Sequence, residues 1–129
     1  MIRQSIDVDG YWEVIVYYDV DFDLFYFIEE DLKGIGFSGH NLETLYQDLS
    51  EGRAKAVTCS SPHHRKSIVL FNKHKSVRDY INSIVHEAEH VKQAMLKVYD
   101  VEDRGEAPAY TIGYLVGRMY SVFKGMLCK

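Results

Sequence analysis

The chain has 129 residues, 47% of them hydrophobic and 26% charged, which suits one compact domain and excludes both disorder and two ordinary domains. The net charge of −4 and the lack of an aromatic platform beside the basic runs "HHRKS" and "NKHKSVR" argue against nucleic-acid binding. Apolar runs such as "VIVYY" and "SIVLF" fall far short of the roughly 20 residues of a membrane span, "MIRQSIDVDGYWE" lacks the apolar segment of a signal peptide, and Cys59 and Cys128 are too few for a disulfide framework, so the expectation is a cytoplasmic protein with reduced thiols.

In chain order, "YWEVIVYYDV" (11–20) is β-branched and aromatic and predicts a strand. "DFDLFYFIEEDLKGIG" opens on Asp, has apolar residues at helical spacing and closes on Gly34 and Gly36, which predicts a helix. "NLETLYQDLSEG" predicts a second helix, with Leu42, Leu45, Tyr46 and Leu49 on one side and Gly52 ending it. "AKAVTCSS" (54–61) and "RKSIVLFN" (65–72), joined through Pro62, predict an antiparallel hairpin.

A long helix follows. Ser76 suits its N-cap, with Asp79 at the capping-box position. Val77, Ile81, Ile84, Ala88, Val91, Met95 and Val98 then alternate steps of four and three, giving one apolar stripe. After the acidic link "YDVEDRG", a final helix, "EAPAYTIGYLVGRMYSVFKGML", accommodates Pro108 only in its first turn, which places Glu106 there too. The order is β-α-α-β-β-α-α, an α+β domain with about three strands and helices packed on the sheet.

The long helix contains "HEAEH", with His86 and His90 four residues apart and Glu87 directly after the first. At 100° per residue from Ile84 the apolar stripe centres near about 10°, the histidines fall at about 200° and 240°, and Glu87 lies near about 300°. Both imidazoles therefore leave the helix away from the stripe, with the carboxylate between them and the core side. Hydrolytic zinc sites take three protein ligands and keep a position for water, whose pKa the metal lowers while a nearby carboxylate accepts its proton. H-E-x-x-H supplies two ligands and that base from one turn. A chance match in a chain with six histidines arises at roughly 2%, and the competing reading is a solvated face with ordinary side-chain pairing.

A third donor is sought downstream among Asp100, Glu102, Asp103 and Glu106. The first three sit in the link, where a ligand is poorly fixed. Glu106 opens a helix, whose dipole and free amides favour an ionised carboxylate. Ala109, Tyr110, Gly113 and Gly117 continue its face, and glycines four apart allow close approach of another helix. Ile112, Leu115, Val116, Met119 and Phe123 form a separate stripe for the core.

"HEAEH" followed by "EDRGEAPAY" resembles the gluzincin zinc metallopeptidases, in the size of the small minigluzincin proteins. The stretch "EDRGEAPAYTIGYL" is also similar to the ImmA/IrrE-type peptidases, in which an E-x-E-A-x-x-F-A pattern follows the HExxH helix. The resemblance covers about residues 65–120 and leaves the N-terminal half unmatched. It implies a single zincin-like domain over residues 1–129, with His86, His90 and Glu106 as Zn2+ ligands and Glu87 as general base. It further implies a peptide or protein substrate lying along "RKSIVLFN" as the sheet edge. Such peptidases have more chain after the motif helix. Tyr110, one turn past Glu106, is the local candidate for stabilising an oxyanion; Tyr114 is a weaker one, and packing competes for both.

The remaining candidates read as structural. His63 and His64 suit a basic surface loop, and His40 and His74 lack partners at ligand spacing. Cys59 has no helix N-terminus to activate it and reads as a buried strand cysteine. "DLFYFIEE" reads most simply as the core face of the first helix, with a dimer contact as the alternative for any exposed members. The leading expectation is a zinc-dependent peptidase without nucleic-acid or membrane partners. The other is a non-catalytic, metal-stabilised interaction module.

Overall fold

The segment "YWEVIVYYDV" does supply a strand, Trp12–Tyr18 (β2), but a further strand, Ile2–Val8 (β1), precedes it in the computed structural model, which describes residues 1–128. The two pair antiparallel, from Ile2↔Tyr18 to Val8↔Trp12. Their turn is closed by Asp9 and Gly10, both at positive φ (52° and 76°), the Asp-Gly chemistry of a tight hairpin. One 3-10 turn at Phe22–Leu24 leads into α1 (Phe25–Gly34), and α2 (His40–Ser50) follows. The predicted hairpin is Ala56–Ser61 (β3) and Lys66–Phe71 (β4), in register from Ala56↔Phe71 to Ser61↔Lys66. The last two elements are α3 (Val77–Tyr99) and α4 (Glu106–Leu127).

Two expectations change. The sheet has four strands, not three, in the order β1-β2-β4-β3. The strand "RKSIVLFN" is not an edge, because β4 pairs with β3 on one side and runs parallel to β2 on the other, with Ile15 opposite Ile68. The edges are β1 and β3. The broad class, α+β, stands.

The central strands explain the layering. Apart from Glu13 and Lys66, every residue of β2 and β4 is buried, so both faces of the sheet need cover. On one face Ile15, Tyr17, Ile68, Leu70 and Cys59 pack with Phe25, Ile28, Leu32, Leu45 and Leu49 of α1 and α2. On the other, Trp12, Val14, Val16, Tyr18, Val69 and Phe71 meet α3 and α4. Helix α3 lies over β3 and β4, whereas α4 lies beside it over β1. The buried indole of Trp12 donates to Oγ of Ser67 at 3.0 Å, and Ser67 pairs with Ser60 at 2.7 Å. The sheet's polar groups beneath α3 are thereby satisfied.

The ends of α3 are fixed locally. Oγ of Ser76 accepts from the Asp79 amide at 3.1 Å, as an N-cap does. Ile84, Ala88, Val91 and Met95 form the buried stripe, and Val77 at its start is exposed. Asp100, at φ 53°, closes the helix in the left-handed conformation. In α4, Pro108, Leu115, Met119 and Phe123 face the core, with Ile112 and Val116 against it. Among the described residues no helix is long and apolar enough to cross a membrane.

Cys59 is buried in β3 as expected, and burial, reinforced by the Glu87 charge, pushes its thiol up to about 12, whereas Cys128 is exposed. A raised thiol pKa leaves almost no thiolate near neutrality. At about pH 8 a disulfide reagent should therefore label one thiol per native chain and the second only after denaturation. Two fast-reacting thiols in the native protein would contradict this packing.

Candidate metal centre

His86 and His90 leave α3 from exposed positions, while Glu87 between them is buried. The 100° advance along the helix separates the three: the histidines face away from the sheet, and Glu87 turns down towards β3. There Oγ1 of Thr58 donates to Oε1 of Glu87 at 2.9 Å. The other carboxylate oxygen, Oε2, stands 4.0 Å from Nε2 of His86. Thr58 thus fixes the carboxylate with one oxygen left on the histidine side.

The two imidazoles converge. Their Nε2 atoms lie 3.1 Å apart, with ring planes at 81°. Two nitrogens bound to one tetrahedral zinc at about 2.05 Å would be about 3.3 Å apart. The pair therefore fits two ligand positions with little rearrangement. Without a metal the same distance suits one neutral ring donating to the other.

The third position is different. Among the described residues, no three His, Cys, Asp or Glu side chains stand together as a metal-ligand group. Asp100 is the helix cap, Glu102 pairs with Arg104 at 2.7 Å, and Asp103 pairs with Lys92 at 2.9 Å. Lys92, buried along its stem, also holds Glu89 at 2.9 Å, and the two carboxylates raise its pKa. Glu106 is exposed in the first turn of α4 and enters none of the ion pairs among the described residues. It lies on the side of α4 opposite Pro108, Leu115 and Met119. The structure thus brings His86, His90 and Glu87 together and leaves Glu106 outside their contact.

Tyr110 is 64% exposed on the same outer face of α4. Tyr114 is structural: its hydroxyl donates to the Asp7 carbonyl at 2.9 Å and accepts from Arg118 at 2.8 Å, tying α4 to β1. Gly113 and Gly117 do not mediate helix packing among the described residues, since a Cβ on either would meet nothing within 4 Å. That corrects the close approach expected from their spacing. The α4 surface that meets α3 carries Leu115 and Met119 instead.

Two other histidines, His74 and His64, are held by local bonds. His74 contacts the Asn72 carbonyl at 2.6 Å and Oγ of Ser83 at 2.8 Å and lies against the ring of Tyr80. His64 pairs through Nδ1 with Oγ of Ser61 at 2.7 Å. Thr58 is absent from the candidates that the sequence suggests, although alternation along β3 puts Ala56, Thr58 and Ser60 on one face, where a half-buried hydroxyl favours a partner.

Comparison of the chain with protein-family models, characterised proteins and solved structures returns no match.

Removing Thr58 Oγ1 would leave Oε1 of a buried carboxylate without its donor. Thr58→Val should cost about 1–3 kcal/mol in urea unfolding at neutral pH, and Thr58→Ser should recover most of it. Equal stability of Thr58→Val and the wild type would mean that the bond contributes nothing.

Proposed function

We propose that the protein is a zinc-dependent peptidase of gluzincin type, with its centre on α3. The observation that carries this reading is the 3.1 Å approach of the His86 and His90 Nε2 atoms beside the buried, Thr58-held carboxylate of Glu87. The two imidazoles supply two donors. Glu106 is assigned as the third because it alone of the downstream acids is neither a cap nor in an ion pair among the described residues. A bound zinc would supply an acidified water and a Lewis acid for the scissile carbonyl.

The chain's own residues supply the rest. Glu87 Oε2 accepts the proton of the attacking water and returns it to the leaving amine. Thr58 keeps that carboxylate oriented and unable to turn away. Tyr110, one turn beyond Glu106, is assigned to hydrogen-bond the developing oxyanion. The edge strand beside Glu87 is β3, whose outer amides and carbonyls can pair with an extended peptide. The substrate class is therefore a peptide or an unfolded protein segment.

A second reading is a metal-stabilised interaction module without catalysis, in which the pair and the third ligand hold the fold and no peptide is cut. Elemental analysis of tag-free protein dialysed against zinc should give one zinc per chain in the wild type. Near-zero values are expected for His86→Ala and His90→Ala, and a clear loss for Glu106→Ala. Near-zero zinc in the wild type would end both readings. Glu87→Gln should keep its zinc and lose at least about 100-fold in cleavage of a peptide library, the scale of general-base catalysis. A wild type that binds zinc and cleaves no peptide would select the module.

A further inference from the structure

The outer face of α4 carries a regular pattern of exposed residues. Glu106, Tyr110, Gly113, Gly117, Tyr120 and Lys124 succeed one another at steps of 4, 3, 4, 3 and 4, and all six are exposed. That is the seam spacing of a two-helix coiled coil, on the face opposite the one packed on the sheet. The sequence of chemistries reads the same in both directions: a charged residue, a tyrosine, two glycines, a tyrosine and a charged residue. The terminal charges are opposite, acidic at the start and basic at the end.

We propose that this face is a self-association surface, fitted by the α4 of a second copy running antiparallel across a two-fold axis. With the axis between Gly113 and Gly117, each Gly113 meets the other copy's Gly117, and each Tyr110 meets the other copy's Tyr120. Each Glu106 then meets the other copy's Lys124. Every contact occurs twice, as a two-fold interface requires. A parallel pairing would set Glu106 against Glu106 and Lys124 against Lys124, so charge selects the antiparallel arrangement.

Three observations support a second copy as occupant. Tyr110 and Tyr120 are 64% and 42% exposed although each carries a large apolar ring. Glu106 and Lys124 form no ion pair among the described residues. The glycines weaken a helix interior and have nothing within 4 Å of an added Cβ, so no close packing among the described residues requires them. Their bare backbone lets two helices approach while the tyrosines pack on either side. The seam runs about 27 Å along α4, about 18 residues at 1.5 Å each, which suits a reversible dimer rather than an obligate one.

Glu106 and Tyr110 are also the residues assigned above to zinc and to the oxyanion, so the test is run in EDTA, where failure of either idea leaves the other standing. Sedimentation velocity over a concentration series should show a monomer–dimer equilibrium for the wild type. Lys124→Glu and Glu106→Lys should each weaken the dimer by about tenfold, because two attractive pairs become two repulsive ones. The double charge swap, Glu106→Lys with Lys124→Glu, restores opposite charges across the axis and should return the dissociation constant to within about threefold of the wild type. Far-UV circular dichroism on each variant checks that α4 is intact. A wild type that stays monomeric throughout the series, a dimer indifferent to the single swaps, or single swaps whose effects add in the double variant would each overturn the proposal.

Discussion

The fold depends on the pairing of β2 with β4 and the burial of both strands on both faces. Two runs rich in Val, Ile, Leu and aromatic residues, parallel and adjacent, cannot face water on either side. Helices α1 and α2 must cover one face, and α3 and α4 the other. With one side of α3 fixed on the sheet, the angular spacing of its residues determines the rest. His86 and His90 are turned outward, and Glu87 is carried to the flank where β3 ends the sheet. The grouping of His86, His90 and Glu87 on α3 is thus a by-product of core packing plus one hydrogen bond, that from Thr58.

The carboxylate illustrates how burial and chemistry combine. A buried carboxylate is expensive unless hydrogen bonds or charges meet it. Glu87 has one strong donor on the protein side and the histidine pair on the other. A cation at the pair, as proposed above, would complete that environment. Lys92, further along α3, has a purely structural role. Its ammonium collects Glu89 and Asp103, which fixes the α3–α4 link and removes Asp103 from the set of free acids.

Much of this is legible in the residues. The steps of four and three on α3, the Ser76 cap, the hairpin through Pro62 and the first-turn Pro108 all depend on local rules, and the structure follows them. The strand Ile2–Val8 is harder to see. Arg3, Ser5 and Asp7 break up its apolar residues, and only the inward alternation ending on Ile6 and Val8, with Asp9-Gly10 after it, marks a hairpin. The edge of the sheet escapes sequence reading for a related reason: strand order is set by pairing between distant segments, to which a local run such as "SIVLF" is blind. The glycines of α4 suggest a packing face because spacing alone does not say which side of a helix meets the core; the apolar stripe through Leu115 and Met119 decides that. Convergence of the two histidines follows from their spacing, whereas the position of Glu106 depends on the link and on how α4 lies.

The pairing of Ile15 with Ile68 also bears on the order of events during folding. The sheet consists of two hairpins, β1–β2 and β3–β4, each closed by a short turn, and such local contacts form within microseconds. The joint between the hairpins spans the whole of α1, α2 and β3, so its closure entropy must be met before any of its contacts form. Its two strands are the most apolar segments of the sheet, and they are the ones left waiting. Until the joint closes, each hairpin presents a bare apolar edge, β2 on one and β4 on the other. The slow step of folding and the point of greatest exposure to aggregation are therefore the same event.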